Sequence, residues 1–205
     1  MTSSFSSTNY WRHRYAKGRH SGAGSLGALG RYKTTFLNQF YYEHRHETVI
    51  DFGSGDGTLA EQFAFANYCG VDPSETVIER CRSQFAHRKD WSFHLLADEE
   101  AYAGQYDLVL SLDVIYHLVE DDVFEAYMTA LFEHASKHVV IYASDWEQRL
   151  DAPHVRHRWF SAWIARNRPA WRLIARPQSP YPFNPNDPAN TTFAEFLVFA
   201  RADSA

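Results

Sequence analysis

The sequence predicts a single α/β domain built on a seven-stranded, mostly parallel sheet. Its 205 residues fit one domain of ordinary size, since two separate cores would each be small. A hydrophobic fraction of 45%, with only ten glycines and eight prolines, excludes disordered and collagen-like chains. Short apolar runs alternate with stretches of helical periodicity, and this order favours parallel strands joined by helical crossovers.

In the first half of the chain, strands are predicted where β-branched and apolar residues cluster next to turn signals. The run Thr48-Val-Ile-Asp-Phe52 is typical of a buried strand, because it is apolar and ends at glycines. Aromatic and apolar residues at helical spacing predict the helix that precedes it. The predicted elements are a loop at 21–27, helix 31–42, strand 48–52, helix 58–66, strand 68–72, a helix that Ser74 opens, and strand 91–96.

In the second half, the alternation of strands and helices ends after the fifth strand. Asp121 and Asp122 suit the positive N-terminus of a helix. A proline-rich loop separates the last two strands, so they pair as an antiparallel hairpin or cross over through the loop alone. The predicted elements are strand 106–112, a helix that begins at Asp121, strand 138–142, helix 153–168, and strands 171–176 and 193–199.

Cysteine usage and hydropathy favour a reducing, aqueous compartment. Cys69 and Cys81 are the only cysteines, too few for a disulfide scaffold or a four-thiolate zinc site. The first residues lack the basic and then apolar order of a signal peptide. The most apolar stretch, 106–118, is short and carries Asp107 and Asp113, so no membrane span is expected. The sequence therefore predicts a cytoplasmic protein without a membrane partner.

Charge is distributed unevenly, although the formal net charge is only −5. Residues 1–42 contain six Lys and Arg and no acid, and residues 149–176 contain seven arginines and one aspartate. Such asymmetry is typical of a surface for a charged partner, but it also fits arginines that solvate helical faces. Aromatic side chains are interleaved with these arginines, as in nucleic-acid-binding proteins. Because the whole chain is acidic and carries no nucleic-acid motif, we expect no nucleic-acid partner.

The strongest signal is the glycine-rich turn that ends the first predicted strand. Gly53, Gly55 and Gly57 alternate after Asp51, and glycines at such a turn let the backbone approach a ligand closely. A dinucleotide fingerprint would place a third glycine or an alanine at position 58, where this chain has Thr58. This spacing disfavours a nicotinamide-dependent oxidoreductase, and a P-loop is excluded because no Gly-Lys-Ser/Thr follows.

An acid at the end of the second predicted strand complements this turn. Asp72 is followed by Pro73 and Ser74, so its strand stops there. A carboxylate at the carboxyl end of that strand can accept hydrogen bonds from both hydroxyls of a ribose, as in nucleoside-binding α/β sheets. The turn and Asp72 together predict a site for a nucleoside-type ligand.

With these motifs, the chain resembles the class I S-adenosylmethionine-dependent methyltransferases over residues 45–145. The resemblance implies a Rossmann-like three-layer sandwich with an antiparallel last strand pair, and S-adenosylmethionine as the cofactor. It also implies that the glycine turn carries the methionine part, that Asp72 holds the ribose, and that Asp98 lies by the adenine amine. The segment 111–118 resembles the motif beside the transferred methyl. The implied cofactor-binding residues are Asp51, Gly53, Ser54, Gly55, Gly57, Asp72, Asp98, Leu112 and Asp113.

The flanking segments carry a looser resemblance to a bacterial subgroup of these enzymes. Tyr10-Trp11, Ser21–Ser25 and Pro153–Arg158 are the stretches that carry it. We therefore expect residues 1–205 to form a single methyltransferase domain with three parts. These parts are an N-terminal cap segment at 1–42, a cofactor-binding core at 43–148, and a substrate-side helix with the final strand pair at 149–205.

Four residues are candidates for catalysis, because methyl transfer needs an aligned acceptor and, for a hydroxyl or protonated amine, a base. His117 follows the fourth strand near the expected methyl position, where histidines also serve as helix-entry residues. Asp113 lies at the same strand end and is expected to line the cofactor or the acceptor. His154 and His157 lie among arginines, so they either solvate the surface or contact the acceptor. No spacing of histidines and carboxylates favours a metal site.

These observations predict an S-adenosylmethionine-dependent methyltransferase that acts on a small acceptor by O- or N-methylation. We expect an anionic acceptor bound by Arg156 and Arg158, because arginine forks suit carboxylates and phosphates. A non-catalytic S-adenosylmethionine-binding sensor or subunit would carry the same glycine turn and Asp72. Turnover of the cofactor, and not its binding, distinguishes these two functions.

Overall fold

The computed structural model describes residues 5–149 and 152–202, which contain nine strands and five helices. The strands are β1 Thr48–Phe52, β2 Asn67–Asp72, β3 Trp91–Leu95, β4 Tyr106–Leu112, β5 Ala135–Ala143, β6 Gln148–Arg149, β7 Arg156–His157, β8 Trp171–Ala175 and β9 Glu195–Arg201. The helices are α1 Ser7–Ala16, α2 Gly27–Glu43, α3 Glu75–Gln84, α4 Asp121–Glu133 and α5 Phe160–Asn167. Within these described ranges, no helix is both long and apolar enough to cross a bilayer.

Seven of the strands form one sheet in the order β3-β2-β1-β4-β5-β9-β8, which confirms the predicted seven-stranded sheet. The first five strands in the chain pair in parallel with their neighbours. β9 runs antiparallel between β5 and β8. The prediction of an antiparallel last strand pair is therefore confirmed, because β8 and β9 form a hairpin across the proline-rich loop. β6 and β7 form a separate antiparallel pair.

The strand order reverses between β1 and β4, and this reversal opens a cleft at the carboxyl ends of the central strands. Asp51 on β1 lies opposite Gly70 on β2 and Leu110 on β4. Because these strands are parallel, the segments that follow them leave the sheet at one edge. The glycine turn, Asp72 and Asp113 are thus brought together by the topology of the sheet.

The central strands are buried on both faces, which explains why their sequences are apolar along their whole length. Val49, Ile50 and Phe52 of β1 are fully buried, as are residues 108–110 of β4. Helices α2, α3, α4 and α5 each bury apolar residues in the core. In α4 the buried residues are Phe124, Tyr127, Met128, Leu131 and Phe132.

The segment between the glycine turn and β2 differs from the predicted helix 58–66. Only Ala60–Gln62 form a 3₁₀ turn, after which the backbone is extended at Phe63. Phe63 and Phe65 are both buried in the core, and burial with a period of two needs an extended chain. The Trp91 indole N–H also donates to the Phe65 carbonyl at 3.1 Å. Packing of these two rings therefore overrides the local helix propensity.

The predicted helix 153–168 also begins later than expected, since α5 starts at Phe160. Within the predicted helix, Arg156 and His157 instead form strand β7. The His157 ring contacts Ser144 Oγ at 2.5 Å through Nδ1, and the neighbouring Arg158 donates to a distant loop carbonyl at 3.0 Å. These long-range contacts hold the backbone extended where the local pattern predicted a helix.

Candidate active site

The glycine turn after β1 has a backbone shape that favours glycine. The φ angle is +82° at Gly53, +60° at Gly55 and +81° at Gly57, all in the left-handed region. A Cβ atom at Gly53 would overlap a methyl group of Val114, and one at Gly55 would lie 2.5 Å from Ser21 Oγ. The missing side chains therefore let two other segments of the chain pack directly against this turn.

Asp72 is fastened to the turn through both carboxylate oxygens. The Gly55 N–H donates to Oδ2 at 3.1 Å, and the Ser74 N–H donates to Oδ1 at 2.9 Å. Asp72 is only 4% exposed, and this burial raises its pKa to about 7. Each oxygen of an ionised carboxylate has a second lone pair, so Asp72 can still accept hydrogen bonds from a ligand.

Buried polar atoms without a protein partner lie close to the same turn. Asp51 Oδ2 accepts from the Tyr68 hydroxyl at 2.9 Å, while its Oδ1 has no partner among the described residues. Burial raises the pKa of Asp51 to about 7. The hydroxyl of Ser54 is also buried and without a partner in the described residues. An unsatisfied buried polar group costs about 1–3 kcal/mol, so these atoms mark a place where a polar ligand completes the hydrogen bonding.

A cavity of about 520 Å³ opens at the carboxyl ends of β1, β2 and β4. Most of its wall is apolar or aromatic, and polar groups converge near the glycine turn, as is typical of cofactor sites. Gly55 and Gly57 are not part of its lining, because they pack against Ser21 and Phe85. The predicted cofactor-binding residues that line it are Asp51, Gly53, Ser54, Asp72, Leu112 and Asp113.

The acid that lines the cavity after β3 is not Asp98, which the resemblance places beside the adenine amine. Asp98 is exposed and is not among the residues that line the cavity. Leu96 and Glu99 line it instead, and Glu99 begins a 3₁₀ turn that ends at Tyr102. Glu99 is therefore better placed than Asp98 to face a ligand at this end of the cavity.

His117 lines the cavity and is held by two neighbours. Its Nδ1 lies 2.9 Å from the His154 carbonyl, and its ring meets Trp11 edge to face at a centroid distance of 4.8 Å. Burial lowers the pKa of His117 to about 4, so the ring is neutral at pH 7. Because a carbonyl oxygen can only accept, Nδ1 carries the proton and Nε2 keeps a free lone pair.

The other two candidate histidines lie outside the cavity lining. The His154 ring stacks on Tyr10 at 4.8 Å, and its carbonyl orients His117. His157 is buried, with its ring stacked on Trp146 at 4.9 Å. Burial lowers the pKa of both rings. Across the residues that the structure describes, no group of three or more His, Cys, Asp and Glu side chains is arranged to hold a metal ion.

The two arginines expected to bind an acceptor bind the chain itself instead. Arg156 forms ion pairs with Asp121 at 2.6 Å and Glu147 at 3.2 Å. Arg158 is 5% exposed and forms a second ion pair with Asp121 at 2.7 Å. Its remaining N–H groups donate to the carbonyls of Leu118, Val119 and Glu120 at 3.0–3.1 Å. Both guanidinium groups thus fix the loop before α4, and neither lines the cavity.

Arg158→Met is expected to lower the free energy of unfolding by about 2 kcal/mol, because buried carbonyls lose their donor while Met keeps apolar contact with Phe124. Urea unfolding followed by tryptophan fluorescence measures this. Arg172→Met, at an exposed position of β8, is the matched control and should stay within about 0.5 kcal/mol of wild type. An unchanged midpoint for Arg158→Met would contradict the structural role and favour ligand binding by this arginine.

Helix α1 contributes to the site. The sequence predicted a cap segment at 1–42 but no helix at Ser7–Ala16. Ser7, Trp11 and Tyr15 of this helix line the cavity, and the Ser7 N–H donates to Glu120 Oε1 at 2.8 Å. Ser6 is its N-cap, since its hydroxyl accepts from the Asn9 N–H at 3.3 Å. The polar N-cap residue was the available sequence signal. Only Ser7 and Tyr15 of the helix are buried, so no apolar face marked it.

Comparisons with known proteins place the chain in a family. A family profile described as a methyltransferase domain matches residues 26–178. The structure is similar to N-methyltransferase NodS from Bradyrhizobium japonicum WM9 in complex with S-adenosylhomocysteine, with a TM-score of 0.72 at 14% identity, covering 97% of this chain and 100% of that one. It is similar to magnesium protoporphyrin IX methyltransferase from Synechocystis PCC 6803 with bound S-adenosylmethionine, with a TM-score of 0.65 at 16% identity, covering 98% and 100%. A search of curated proteins found no match.

The profile covers well over half of the chain, and the solved structures show that the fold extends over nearly all of it. The glycine turn, the unpartnered buried polar atoms and the cavity at the sheet edge fit the cofactor that these enzymes use. The chain therefore belongs to the methyltransferase-domain family and has the fold of the class I S-adenosylmethionine-dependent methyltransferases.

Proposed function

We propose that this enzyme methylates a nitrogen of a small acceptor that carries no carboxylate or phosphate group. The observation that carries the proposal is the charge of the cavity wall. Among the described residues that line it there are six carboxylates and no lysine or arginine. Carboxylates in a low-dielectric wall repel an anion and attract an amine. The six acids are Asp51, Asp56, Asp72, Glu99, Asp113 and Glu133, of which only Asp113 has its charge offset within the described part of the chain, by the ion pair with Lys33.

The basic residues that suggested an anionic acceptor are used elsewhere in the structure. Arg156 and Arg158 bind Asp121 outside the cavity. Lys33, which is close to the cavity wall, is bound to Asp113. No residue of the described stretch 152–202 lines the cavity. The charge available to an acceptor therefore comes from acids and favours the opposite sign from the one predicted.

The cofactor-binding roles follow from the placement of the residues around the turn. Asp51 and the hydroxyl of Ser54 have free acceptor or donor capacity, which suits the amino acid end of the cofactor. Asp72 accepts hydrogen bonds from the ribose hydroxyls through its remaining lone pairs. Leu96 and Glu99 line the cavity beyond the end of β3 and would contact the adenine. S-adenosylmethionine, when bound, supplies an electrophilic methyl group on a positively charged sulfur.

His117 is the group placed to accept a hydrogen bond from the acceptor N–H, which orients the nitrogen lone pair. Because burial lowers its pKa to about 4, it is too weak a base to deprotonate an ammonium group. Its ring is neutral, and the His154 carbonyl fixes the tautomer that leaves Nε2 free. Trp11 packs against this ring and lines the same part of the wall. A tryptophan face stabilises a nearby cation by about 0.5–2 kcal/mol, which suits the ammonium group that forms when a neutral amine takes the methyl group. His154 supports His117 through its carbonyl and does not touch the acceptor.

Residues 1–42 act as a cap segment in this proposal. α1 supplies Trp11 and Tyr15 to the wall, and Ser21 and Ser25 of the following loop line it as well. The Ser21 N–H donates to Asp56 Oδ2 at 2.9 Å, which joins this loop to the glycine turn. The cap therefore completes the cavity on the side of the sheet edge.

Release of S-adenosylhomocysteine tests the proposed acceptor class. The panel contains small skeletons that carry an amine alone or the same amine with a carboxylate. We expect turnover at least about tenfold higher for each amine alone, since a like charge in the wall costs over 1.4 kcal/mol. His117→Asn should lower turnover by about 10²-fold or more, with His157→Asn as the matched control. Turnover restricted to the carboxylated members would contradict the proposal.

Cofactor affinity is expected to rise between pH 5.5 and 7.5, because the ionised forms of Asp51 and Asp72 accept stronger, charge-assisted hydrogen bonds. Burial raises the pKa of both to about 7 in the folded protein. A carboxyl with a raised folded-state pKa stabilises the fold at low pH, and this contribution is lost as the pH rises through about 7. Cofactor binding should reverse this by selecting the ionised forms, so protons are released.

Calorimetry at pH 6.5 in two buffers of different ionisation enthalpy measures that release. We expect about one proton per cofactor bound, from the Asp51 and Asp72 pKa values near 7. Asp51→Asn should release fewer protons than wild type. Identical binding enthalpies in both buffers would contradict the expected coupling.

A further inference from the structure

Lys33 is a fully buried lysine at the edge of the active site. It lies on α2 with 0% of its side chain exposed, and its ammonium group forms an ion pair with Asp113. The ammonium also lies 4.9 Å from the centre of the Tyr142 ring. Lysine is almost never fully buried unless it is paired, because losing its hydration is unfavourable. The ion pair with Asp113 therefore stabilises the buried ammonium group of Lys33.

Asp113 adopts a backbone conformation that is rare for a residue with a side chain. Its φ angle is +60°, which costs about 1–2 kcal/mol for a non-glycine residue. Three contacts hold it there besides the peptide chain. Its N–H donates to the Tyr142 carbonyl at 2.8 Å, Oδ1 accepts from the Tyr116 hydroxyl at 2.9 Å, and Oδ2 accepts from Lys33. Both carboxylate oxygens are thus bound by donors of the chain.

The ion pair is a meeting point of three segments that form the cavity. The next residue, Val114, packs into the space left by the absent side chain of Gly53. A Cβ atom at Gly24 would lie 3.1 Å from Asp113 Oδ2 and 3.5 Å from Lys33 Nζ, so the loop before α2 also packs on the pair. The position of the loop after β4 is therefore tied to the glycine turn and to α2.

We propose that Lys33 is a positioning residue for methyl transfer. It holds the loop after β4, which begins at Asp113, against the glycine turn, and its charge neutralises the Asp113 carboxylate in the cavity wall. This inference rests on the proposed cofactor site, because the segment 111–118 is the one expected beside the methyl group. It also assigns the Asp113 carboxylate to its ion pair with Lys33 and its hydrogen bond with Tyr116. His117 is then the group at this end that accepts a hydrogen bond from the acceptor.

The neutralised charge has a consequence that needs no acceptor to be measured. S-adenosylmethionine carries a positive charge on sulfur, and S-adenosylhomocysteine does not. A single uncompensated charge in the wall changes the affinity for the first ligand relative to the second. Loss of Lys33 leaves an anion that favours S-adenosylmethionine, and loss of the Asp113 charge leaves a cation that favours S-adenosylhomocysteine. Loosening of the loop weakens both ligands and cancels in the ratio.

The experiment measures the Kd of both ligands by calorimetry for wild type and four variants. The ratio of the S-adenosylhomocysteine Kd to the S-adenosylmethionine Kd should rise by about tenfold in Lys33→Met and fall by about tenfold in Asp113→Asn. The double variant should return to the wild-type ratio. Lys137→Met is the matched control, because Lys137 pairs with Asp107 at 3.0 Å at the opposite end of β4. Its ratio should not change.

Each outcome decides for or against Lys33. A ratio unchanged in folded Lys33→Met and in Asp113→Asn overturns the proposal, as does a double variant that keeps the Asp113→Asn ratio. If neither variant at Lys33 folds, Asp113→Asn alone decides, because its expected shift comes from the uncompensated Lys33 cation. A wild-type protein that binds neither ligand would contradict the proposed cofactor site instead, so the two failures are distinguishable.

Discussion

Asp72→Ala is expected to weaken S-adenosylmethionine binding by at least about 100-fold, which corresponds to about 2.7 kcal/mol. The carboxylate lies at the end of β2, and its two oxygens already organise the Gly55 and Ser74 N–H groups. Its removal takes away both the proposed contacts with the ribose and this order in the turn. Calorimetric titration with S-adenosylmethionine measures the effect.

Two controls separate ligand binding from folding in this variant. Loss of Asp72 leaves the Gly55 and Ser74 N–H groups without their acceptor, so we expect the cofactor-free protein to remain folded but to lose about 1–3 kcal/mol of stability. Thermal unfolding without ligand checks this. Asp98→Ala is the matched variant, because Asp98 follows the next strand but lies outside the cavity lining. We expect Asp98→Ala to bind like wild type, and a larger loss there than at Asp72 would contradict the placement of the site.

Gly53→Ala is expected to lower the free energy of unfolding by about 3 kcal/mol and to abolish detectable cofactor binding. The φ angle of +82° strains any residue with a Cβ atom. In addition, the new methyl group would overlap Val114, so the loop after β4 must move away from the turn. Urea unfolding and calorimetry on the same preparation measure both effects.

Gly18→Ala isolates the steric part of that effect. Gly18 has a φ angle of +71°, but a Cβ atom there would meet nothing within 4 Å. We expect a loss of only about 1 kcal/mol from the backbone strain alone, with cofactor binding retained. Equal losses in the two variants would show that the close approach of Val114 to Gly53 has no energetic weight.

The sequence predicted the sheet well because the composition of each central strand reflects its burial. β1 and β4 are buried on both faces, so each is a short continuous apolar run whose bounds can be read directly. The glycine turn was equally readable, since alternate glycines after a buried strand have few other uses. The prediction of a helix at 58–66 was wrong, because the rings of Phe63 and Phe65 enter the core from an extended chain, which local propensity does not reveal.

The roles of charged side chains were decided by partners far along the chain. Arg156 and Arg158 predicted an anion site, but their carboxylate is Asp121, on the first turn of α4. The sequence did not predict helix α1, because the helix has no apolar face and is held by contacts with distant segments, such as the hydrogen bond from the Ser7 N–H to Glu120. In both cases the local pattern was compatible with several partners.

The sequence by itself determined the α/β sheet, the glycine turn and Asp72 as its companion. Their information is local, because burial, turn geometry and strand ends depend on a few neighbouring residues. Only the tertiary structure decided which charges face the cavity. Lys33 and Asp113 are 80 positions apart, and His117 and His154 are 37 apart. Such pairs form because folding removes both groups from water together, and no periodicity of the chain records which two will meet.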